Sequence, residues 1–300
     1  TSKETFFGGA AGGAKSEGVV VSSLGNRRVG IMNNKNWKVL ILRRTFPELE
    51  GSLIRRAKEL FYGIWKYDGQ KHVGTFPSGG YIQFGHIKND DDVIKYQSQE
   101  FNLIEFDELT HFTERMYLFL FTRLRTTDST ITTQIKSASN PGNLGHNWVW
   151  ERFIKDKEPE TKYTTITKMP DGTELSWSKC FIPSSVFDNK ILMQNDPSYL
   201  RSLYELPEVE KEAFLYGNWD IFQGQYFKEL NEEHICDEFE IPSDWPIWIS
   251  LDWGYQTKCA VLFFTEDKNG NVFCFDEIYE THKSVDEIKD MIALKLGNLF

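Results

Sequence analysis

The sequence predicts an α/β protein, in which a mostly parallel sheet is flanked by helices and a smaller second domain follows. Three observations lead to this prediction: a glycine-rich loop that ends in Lys-Ser, apolar runs typical of buried parallel strands, and one such run that ends in Asp-Glu. With 300 residues, the chain is also longer than a typical single domain, so two domains are expected.

The glycine-rich loop, within Phe6–Ser16, has the spacing of a phosphate-binding loop. Gly9 stands at the first glycine of the pattern G-x-x-x-x-G-K-[ST], which ends here in Lys15-Ser16. Small residues let backbone N–H groups form a concave anion site at a helix N-terminus. We expect the Lys15 amine to reach the β- and γ-phosphates of ATP and the Ser16 hydroxyl to ligate Mg²⁺. The predicted ATP-binding residues are Gly9, Ala10, Ala11, Gly12, Gly13, Ala14, Lys15 and Ser16.

One position of this loop departs from the pattern. Ala14 precedes the lysine, where the pattern has glycine. If the backbone there needs a positive φ, alanine is strained and the loop is slightly remodelled. Taken alone, the segment is also compatible with a flexible Gly/Ala linker that happens to precede Lys-Ser.

A buried strand is predicted over Trp37–Leu42, and two arginines follow it. Ligands of open α/β sheets bind at the carboxyl ends of the strands, which makes Arg43 and Arg44 candidate catalytic residues. The alternative is that both are solvated loop charges.

The apolar run Phe101–Phe106 predicts another strand, which ends in two carboxylates. Asp107 is predicted to hold the Mg²⁺ and its water shell, and Glu108 to polarise the attacking water. An Asp-Glu pair after an apolar run is common, but together with Lys15-Ser16 it completes a nucleotide site.

Two further elements follow the Asp-Glu pair. Leu109–Leu124 is predicted to form a helix whose apolar residues belong to the core. Thr130–Pro141 is rich in β-formers and stops at Asn-Pro, which leaves the Asn140 amide at the sheet edge, able to sense a γ-phosphate or its water. Without this context, Asn-Pro is only a turn signal.

A second unit is predicted from Pro246 onward. The strand Ile247–Asp252 is followed by a hairpin, another strand and a helix from Ser284 to Leu296. Ser284, with Glu287 three residues on, is predicted to cap this helix. This order is typical of the start of ribonuclease-H-like nucleases, in which a first-strand aspartate, here Asp252, helps to bind two Mg²⁺ or Mn²⁺ ions. The predicted domains are therefore 1–222 (P-loop ATPase), 223–245 (linker) and 246–300 (nuclease, N-terminal part).

Composition limits the possible functions. A net charge of −10 argues against a protein that coats nucleic acid, although local basic loops can still grip DNA. The four cysteines contain no C-x-x-C pair, so neither a zinc site nor a disulfide framework is expected. Because no disulfide framework is expected, a reducing cytosol is the natural compartment. No apolar stretch is long enough for a membrane span, and no signal peptide is visible.

Taken in order, these motifs resemble those of the large terminase subunit of tailed bacteriophages, a DNA-packaging motor. Five segments carry the resemblance: Gly9–Ser16 (Walker A), Leu103–Glu108 (Walker B), Ser137–Pro141 (coupling motif), Leu215–Trp219 (end of the ATPase domain) and Asp252 (first nuclease aspartate). The resemblance implies a RecA-like ATPase domain followed by a nuclease domain. It also implies a homo-pentamer on the portal protein of a procapsid, working with a small terminase subunit in the host cell cytoplasm. Such a motor translocates double-stranded DNA, cuts concatemers and is not retained in the virion.

The resemblance is incomplete in several respects. The family's adenine-contacting segment lies upstream of Walker A, and further nuclease acids are expected after Phe300, so we expect a chain truncated at both ends. Asp276 and Glu277 do not match the second nuclease aspartate and are interpreted as structural. A trans-acting finger is also unassigned, and Arg43 or Arg44 is interpreted as a cis sensor. The candidate fingers near Walker B are Lys95, Arg115, Arg123 and Arg125.

Two alternative functions remain open from the sequence. One is a helicase-like P-loop DNA translocase, which would carry a second RecA-like lobe. The other is a nucleotide-binding module without catalysis.

Overall fold

The computed structural model describes residues 2–221 and 234–297. These residues divide into two compact units, one before and one after the gap between the two ranges. The predicted linker, 223–245, lies partly outside the described residues, and the predicted domain bounds stay a prediction. Each unit is described by itself.

The first unit is built on a sheet that has nine strands within residues 2–221. Its strands are β1 (Glu4–Gly9), β2 (Lys38–Arg43), β3 (Lys66–Asp68), β4 (Val73–Thr75), β5 (Tyr81–His86), β6 (Leu103–Asp107), β7 (Gln134–Ser139), β8 (Lys162–Lys168) and β9 (Glu174–Ser184). Their order across the sheet is β3-β4-β5-β2-β6-β7-β1-β9-β8. Counted across the sheet, the six neighbouring strands β5, β2, β6, β7, β1 and β9 are parallel. The edge strands β3, β4 and β8 pair antiparallel. This arrangement confirms the predicted mostly parallel α/β fold.

Strand β2 shows why the sequence forms a buried parallel sheet. Val39 and Ile41 are fully buried in a cluster on one face, whereas Leu40 and Leu42 belong to the cluster on the other. Successive side chains of a strand point to opposite faces, so an unbroken apolar run needs cover on both sides. Helices supply this cover.

The helices of the first unit are short. They are α1 (Lys15–Ser22), α2 (Phe46–Leu49), α3 (Arg55–Leu60), α4 (Glu114–Phe121), α5 (His146–Phe153), α6 (Lys190–Asn195), α7 (Ser198–Tyr204) and α8 (Glu208–Lys211). Wider π-helical turns at Glu50–Ile54 and Glu212–Tyr216 connect α2 to α3 and extend α8. Short 3₁₀ segments occur at Asp90–Tyr96, Leu109–His111 and Val186–Asp188.

The helix predicted over Leu109–Leu124 is shorter in the structure. A 3₁₀ turn comes first, and α4 begins only after Thr113, whose side chain accepts a hydrogen bond from the Met116 N–H. Threonine is a favoured N-cap because its oxygen satisfies an N–H that has no partner within the helix. The prediction therefore missed a cap inside the apolar run.

The second unit contains three strands and one helix within residues 234–297: β10 (Ile247–Asp252), β11 (Cys259–Glu266), β12 (Val272–Glu280) and α9 (Val285–Gly297). The strands pair antiparallel in the order β10-β11-β12. Ile288 of α9 is buried with Val261, Phe263 and Ile278 of the sheet. Ser284 and Glu287 form the predicted capping box at the start of α9. The element order agrees with the sequence prediction, while the nuclease assignment stays a prediction.

None of the helices within 2–221 and 234–297 has the length and apolar content that a membrane crossing requires.

Candidate active site

The carboxyl ends of the parallel strands meet at one edge of the sheet. The register places Gly8 of β1 opposite Ser139 of β7, and Asp107 of β6 opposite Ala138. Arg43 ends β2, which pairs with β6. The loops and side chains that follow these strands therefore share one edge, which is where open α/β sheets bind ligands.

The loop between β1 and α1 contains the residue that departs from the phosphate-loop pattern. Ala14 is the N-cap of α1 and lies in the left-handed region, with φ 58° and ψ 25°. For a residue with a Cβ this conformation costs roughly 1–2 kcal/mol. The backbone at Ala14 has the conformation that favours glycine. The strain that the sequence pattern suggested for an alanine at this position is therefore present.

The Lys15 side chain lies against its own loop. It is 8% exposed, and its Nζ donates hydrogen bonds to the carbonyl oxygens of Gly9 and Ala10. Burial lowers the pKa of Lys15 to about 8, while the charges of Glu108 and Asp107 oppose the shift. The ammonium thus lies near two carboxylates and has two carbonyl partners.

The start of the loop is held by neighbouring segments. The Ala10 N–H donates to the Ser184 carbonyl over 2.8 Å, and the Ala11 N–H donates to the Phe214 carbonyl over 2.7 Å. The Asn189 side-chain amide donates to the Gly12 carbonyl over 2.8 Å. The end of β9 and the helices after it therefore fix the backbone of the loop.

Ser16 and Asp107 meet across the sheet edge although 91 positions separate them in the sequence. The Ser16 Oγ lies 3.1 Å from Oδ1 and 3.3 Å from Oδ2 of Asp107. Asp107 is 1% exposed, and burial raises its pKa to about 6, with the Arg43 charge acting in the opposite direction. The two predicted magnesium ligands are thus adjacent.

Arg43 faces both carboxylates. Its Nε lies 2.9 Å from Oδ2 of Asp107, although the N–H is not aligned for a hydrogen bond, and its Nη2 lies 3.8 Å from Oε1 of Glu108. The Nη1 donates to the Ser52 hydroxyl over 2.8 Å. Arg44 is directed elsewhere, since its Nη1 lies 3.4 Å from the Met116 sulfur. Of the two predicted arginines, the structure brings only Arg43 into contact with these carboxylates.

Glu108 and Asn140 lie on neighbouring strand ends. Glu108 has φ 56°, and its Oε2 accepts a hydrogen bond from the Ser139 hydroxyl over 3.4 Å. The carbonyl of Asn140 accepts from the Thr110 hydroxyl over 3.3 Å, whereas its side-chain Oδ1 is buried with no hydrogen-bond partner in the described structure. A buried amide oxygen without a partner is costly unless something else satisfies it.

Sequence reasoning missed Glu105, a fully buried carboxylate within β6. Its Oε1 accepts from the Ser22 hydroxyl of α1, and its Oε2 has no partner in the described structure. Burial raises the pKa of Glu105 to about 7, and Lys136 acts in the opposite direction. An acidic residue in the middle of an apolar strand was the available sequence signal.

The oxygen atoms at this edge fit a magnesium ion that is shared with a phosphate. A hydroxyl and a carboxylate are hard oxygen donors, which Mg²⁺ prefers. No group of three or more His, Cys, Asp or Glu side chains arranged for a metal ion occurs within residues 2–221 and 234–297. A cation held by Ser16 and Asp107 would therefore take its other ligands from phosphate and water, as Mg²⁺ commonly does.

Asp252 lies at the end of β10, opposite Ala260 of β11, and is exposed. Asp276 forms an ion pair with Lys295 over 2.5 Å, and its interpretation as a structural residue stays a prediction. The nuclease role of Asp252 stays a prediction.

The candidate fingers interact within this chain. Lys95 pairs with Asp92 and Arg125 with Glu100, at 2.7 and 3.5 Å. Arg115 lies 3.6 Å from Asp90, and Arg123 donates to the Gln97 carbonyl. Which of these residues acts on a neighbouring subunit stays a prediction.

The fold and this sheet edge define the class of protein: an α/β domain in which a phosphate-type loop and a strand-end carboxylate pair lie side by side. The chain belongs to the family described as terminase large subunit, T4likevirus-type, N-terminal, whose sequence model matches residues 34–234.

Solved structures with the same fold include the large terminase of a thermophilic bacteriophage. One crystal form of that protein aligns with a TM-score of 0.55 at 12% identity, over 100% of this chain and 69% of that one. The same phage protein in complex with ADP aligns with a TM-score of 0.53 at 13% identity, over 100% and 70% of the two chains. Its complex with ATP-gamma-S aligns with a TM-score of 0.51 at 12% identity, over 100% and 69%. No curated protein matches the sequence.

Proposed function

We propose that this chain hydrolyses ATP at the sheet edge and uses the energy to move double-stranded viral DNA into a procapsid. The observation that supports a nucleotide site most directly is the approach of the Ser16 hydroxyl to the Asp107 carboxylate, at 3.1 Å. Membership of the terminase large-subunit family supports the packaging role. The thermophilic phage terminase structures with ADP and ATP-gamma-S support the choice of nucleotide.

Each residue of the edge has a distinct role in this proposal. When ATP binds, the Lys15 ammonium exchanges its hydrogen bonds to two carbonyl oxygens of the loop for contacts with the β- and γ-phosphates. The negatively charged phosphates attract the ammonium more strongly than the neutral carbonyl groups do. Ser16 and Asp107 hold Mg²⁺, which when bound neutralises charge on the phosphate oxygens. The Glu108 carboxylate accepts a hydrogen bond from the attacking water and orients it.

Two further side chains connect the reaction to the sheet. The side-chain Oδ1 of Asn140, at the end of β7, has no hydrogen-bond partner in the described structure. It can bind the water next to the γ-phosphate and lose that contact when the phosphate leaves. Arg43 balances the negative charge of Asp107 and Glu108 and is a cis sensor in this proposal. A finger from a neighbouring subunit completes the site in a homo-pentamer on the portal protein, with the small terminase subunit as a further partner.

The decisive experiment compares Glu108→Gln with the matched control Glu59→Gln, which alters an exposed carboxylate of α3. Loss of the water-orienting group should lower ATP turnover by about 100-fold or more while ATP still binds. The control should keep wild-type turnover. Wild-type turnover in Glu108→Gln would remove this residue from the mechanism. ATP hydrolysis is measured by phosphate release at several protein concentrations, because a site completed by a neighbour should be more active when subunits assemble.

We further propose that Asp252 belongs to a metal-dependent endonuclease site that cuts concatemeric DNA with Mg²⁺ or Mn²⁺. The strand-Asp, hairpin, strand, helix order of the second unit supports this assignment. The test measures plasmid cleavage and ATP hydrolysis on the same protein preparation. Asp252→Asn should stop plasmid cleavage in Mn²⁺ and spare ATP hydrolysis. Cleavage at the wild-type rate would refute the role of Asp252.

The antiparallel pairing of β10, β11 and β12 is a reason to prefer a packaging motor over a helicase-like translocase. A second RecA-like lobe would be built on a parallel sheet. Strand-displacement activity would favour the helicase, and ATP binding without any phosphate release would favour a non-catalytic nucleotide-binding module.

A further inference from the structure

Two buried carboxylates of β6 lie on the face of the strand that α1 covers. Glu105 and Asp107 are two positions apart, so their side chains point to the same face, and they are 0% and 1% exposed. The proposed function uses Asp107 but not Glu105. A buried carboxylate within an apolar strand is costly, and exceptions of this kind occur mainly where a function requires them.

Each of these carboxylates contacts a serine of α1, at opposite ends of the helix. The Ser16 hydroxyl, in the first turn, lies 3.1 Å from Oδ1 of Asp107. The hydroxyl of Ser22, the last residue of α1, donates a hydrogen bond to Oε1 of Glu105. The helix therefore has two polar contacts with one strand, one beside the proposed magnesium site and one at the far end.

A residue of the neighbouring strand holds the same far end. Lys136 of β7 lies opposite Glu105 in the register, and its Nζ donates to the Ser22 carbonyl over 3.1 Å. A cation at a helix C-terminus is favourable, and the last turn of α1 contains no basic residue of its own. Ser22 is thus held through its hydroxyl by β6 and through its carbonyl by β7.

These polar contacts fix a position that the apolar contacts of α1 leave open. Val19 and Val20 are buried against the sheet in an apolar cluster, and apolar contacts have no preferred direction. They hold the helix on the sheet but do not set its place along β6, whereas hydrogen bonds require defined distances and angles. Because α1 is one continuous helix of eight residues, a shift at Ser22 also moves Ser16.

We propose that Glu105, Ser22 and Lys136 form an anchor for α1 that places the Ser16 hydroxyl beside Asp107 for Mg²⁺ binding. The three are positioning residues, because they act through Ser16 and touch neither the nucleotide nor the cation. This inference rests on the proposed nucleotide site and adds a supporting group at the opposite end of the helix.

The anchor should affect the cation more than the nucleotide. Removing a partner that orients a metal ligand typically lowers metal affinity by about 10–100-fold. The backbone of the phosphate-type loop has separate supports, since Ala10, Ala11 and Gly12 are hydrogen-bonded to the end of β9 and the segments after it. Loss of the α1 anchor therefore leaves the contacts between the loop and the phosphates in place.

The test measures the Mg²⁺ effect, the factor by which Mg²⁺ tightens ADP binding, by calorimetry on the whole chain in Mg²⁺ and in EDTA. Ser22→Ala should lower this factor by up to about tenfold and leave ADP affinity in EDTA unchanged. Ser22→Thr keeps a hydroxyl and should keep the Mg²⁺ effect. Ser23→Ala is the matched control, because the Ser23 hydroxyl donates to the Val20 carbonyl within the same helix, over 2.6 Å. It should show the wild-type Mg²⁺ effect.

Glu105→Leu separates positioning from a purely structural role. Leucine removes a buried carboxylate whose Oε2 has no partner in the described structure, so the melting temperature should be unchanged or higher. The Mg²⁺ effect should nevertheless fall as in Ser22→Ala. The double variant should lose no more than either single variant, since both remove the same hydrogen bond. A lower melting temperature with an unchanged Mg²⁺ effect, or losses that add in the double variant, would overturn the anchor.

Asp107→Asn distinguishes failure of the anchor from failure of the proposed function. It alters the proposed magnesium ligand itself and should abolish the Mg²⁺ effect. If the full effect persists in Asp107→Asn, the proposed nucleotide site is wrong and the anchor falls with it. If Asp107→Asn abolishes the effect while Ser22→Ala and Glu105→Leu both retain it, only the anchor is wrong.

Discussion

The Nε atom of Arg43 lies 2.9 Å from Oδ2 of Asp107, so a guanidinium from β2 balances the buried carboxyl group at the end of β6. The Asp107 side chain is 1% exposed and that of Arg43 is 16% exposed. Because water reaches this pair poorly, each charge depends on the other for compensation. The same guanidinium also approaches Glu108, which links all three residues electrostatically.

Removing the guanidinium should destabilise the first unit. Arg43→Met leaves the buried Asp107 carboxylate without its ion-pair partner, and we expect the free energy of unfolding to fall by about 3 kcal/mol. Urea unfolding followed by tryptophan fluorescence measures the change. Arg56→Met is the matched control, because Arg56 pairs with Glu17 at the surface and such pairs contribute about 1 kcal/mol or less. Equal losses in the two variants would mean that the Arg43 pair behaves like a surface pair.

Relief of backbone strain in the phosphate-type loop should stabilise the protein. Ala14 has φ 58°, and glycine adopts this conformation without the clash of a Cβ. We expect Ala14→Gly to raise the free energy of unfolding by about 0.5–1 kcal/mol, since the greater freedom of glycine in the unfolded chain offsets part of the gain. Thermal unfolding tests this. As a control, Ala57→Gly, within α3, should lower the melting temperature instead. A lower melting temperature for Ala14→Gly would contradict the presence of backbone strain at Ala14.

Stability should depend on pH through the buried carboxylate of Glu105. Its pKa is raised from 4.5 to about 7, so the folded state binds the proton more tightly than the unfolded state. The stabilisation is complete below about pH 4.5 and is lost as the pH rises to about 7. The loss is on the order of 3 kcal/mol, at about 1.4 kcal/mol per pKa unit.

Glu105→Gln should therefore flatten the stability profile between pH 4.5 and 7, because an amide does not titrate. Asp107, whose pKa is also raised, leaves a residual slope up to about pH 6. Unfolding free energies at several pH values measure the profile, and Glu59→Gln, at an exposed site, should leave it unchanged. A profile equally steep in Glu105→Gln would show that this carboxyl group is not the titrating one.

Nucleotide affinity should fall in alkaline solution because Lys15 loses its charge. Its pKa is lowered to about 8, and a bound phosphate should hold the ammonium protonated. ADP affinity is then expected to drop by up to about tenfold per pH unit above pH 8. Calorimetric titrations from pH 7 to 10 test this. Lys15→Arg should bind with little pH dependence over the same range, since guanidinium stays charged; an equal decline in both proteins would point to another group.

Much of the fold could be predicted from the chain because its signals are local. The apolar run that forms β2 and the run that forms β6 each need cover on both faces, which only a layered α/β arrangement provides. The capping box at Ser284 gave the start of α9 correctly. The start of α4 was missed because the apolar residues before Thr113 and those after it both have helical spacing. The pattern therefore did not reveal the cap between them.

The sequence by itself determined which chemical groups are available: a small-residue loop ending in Lys15-Ser16, and a strand ending in Asp107-Glu108. Only the tertiary structure decided that Ser16 contacts Asp107, that Arg43 rather than Arg44 faces the carboxylates, and that Ser22 contacts Glu105. The reason is physical. Composition and spacing act over a few residues, whereas the order and register of strands are set by contacts between segments far apart in the chain, such as Glu4 of β1 opposite Ile135 of β7.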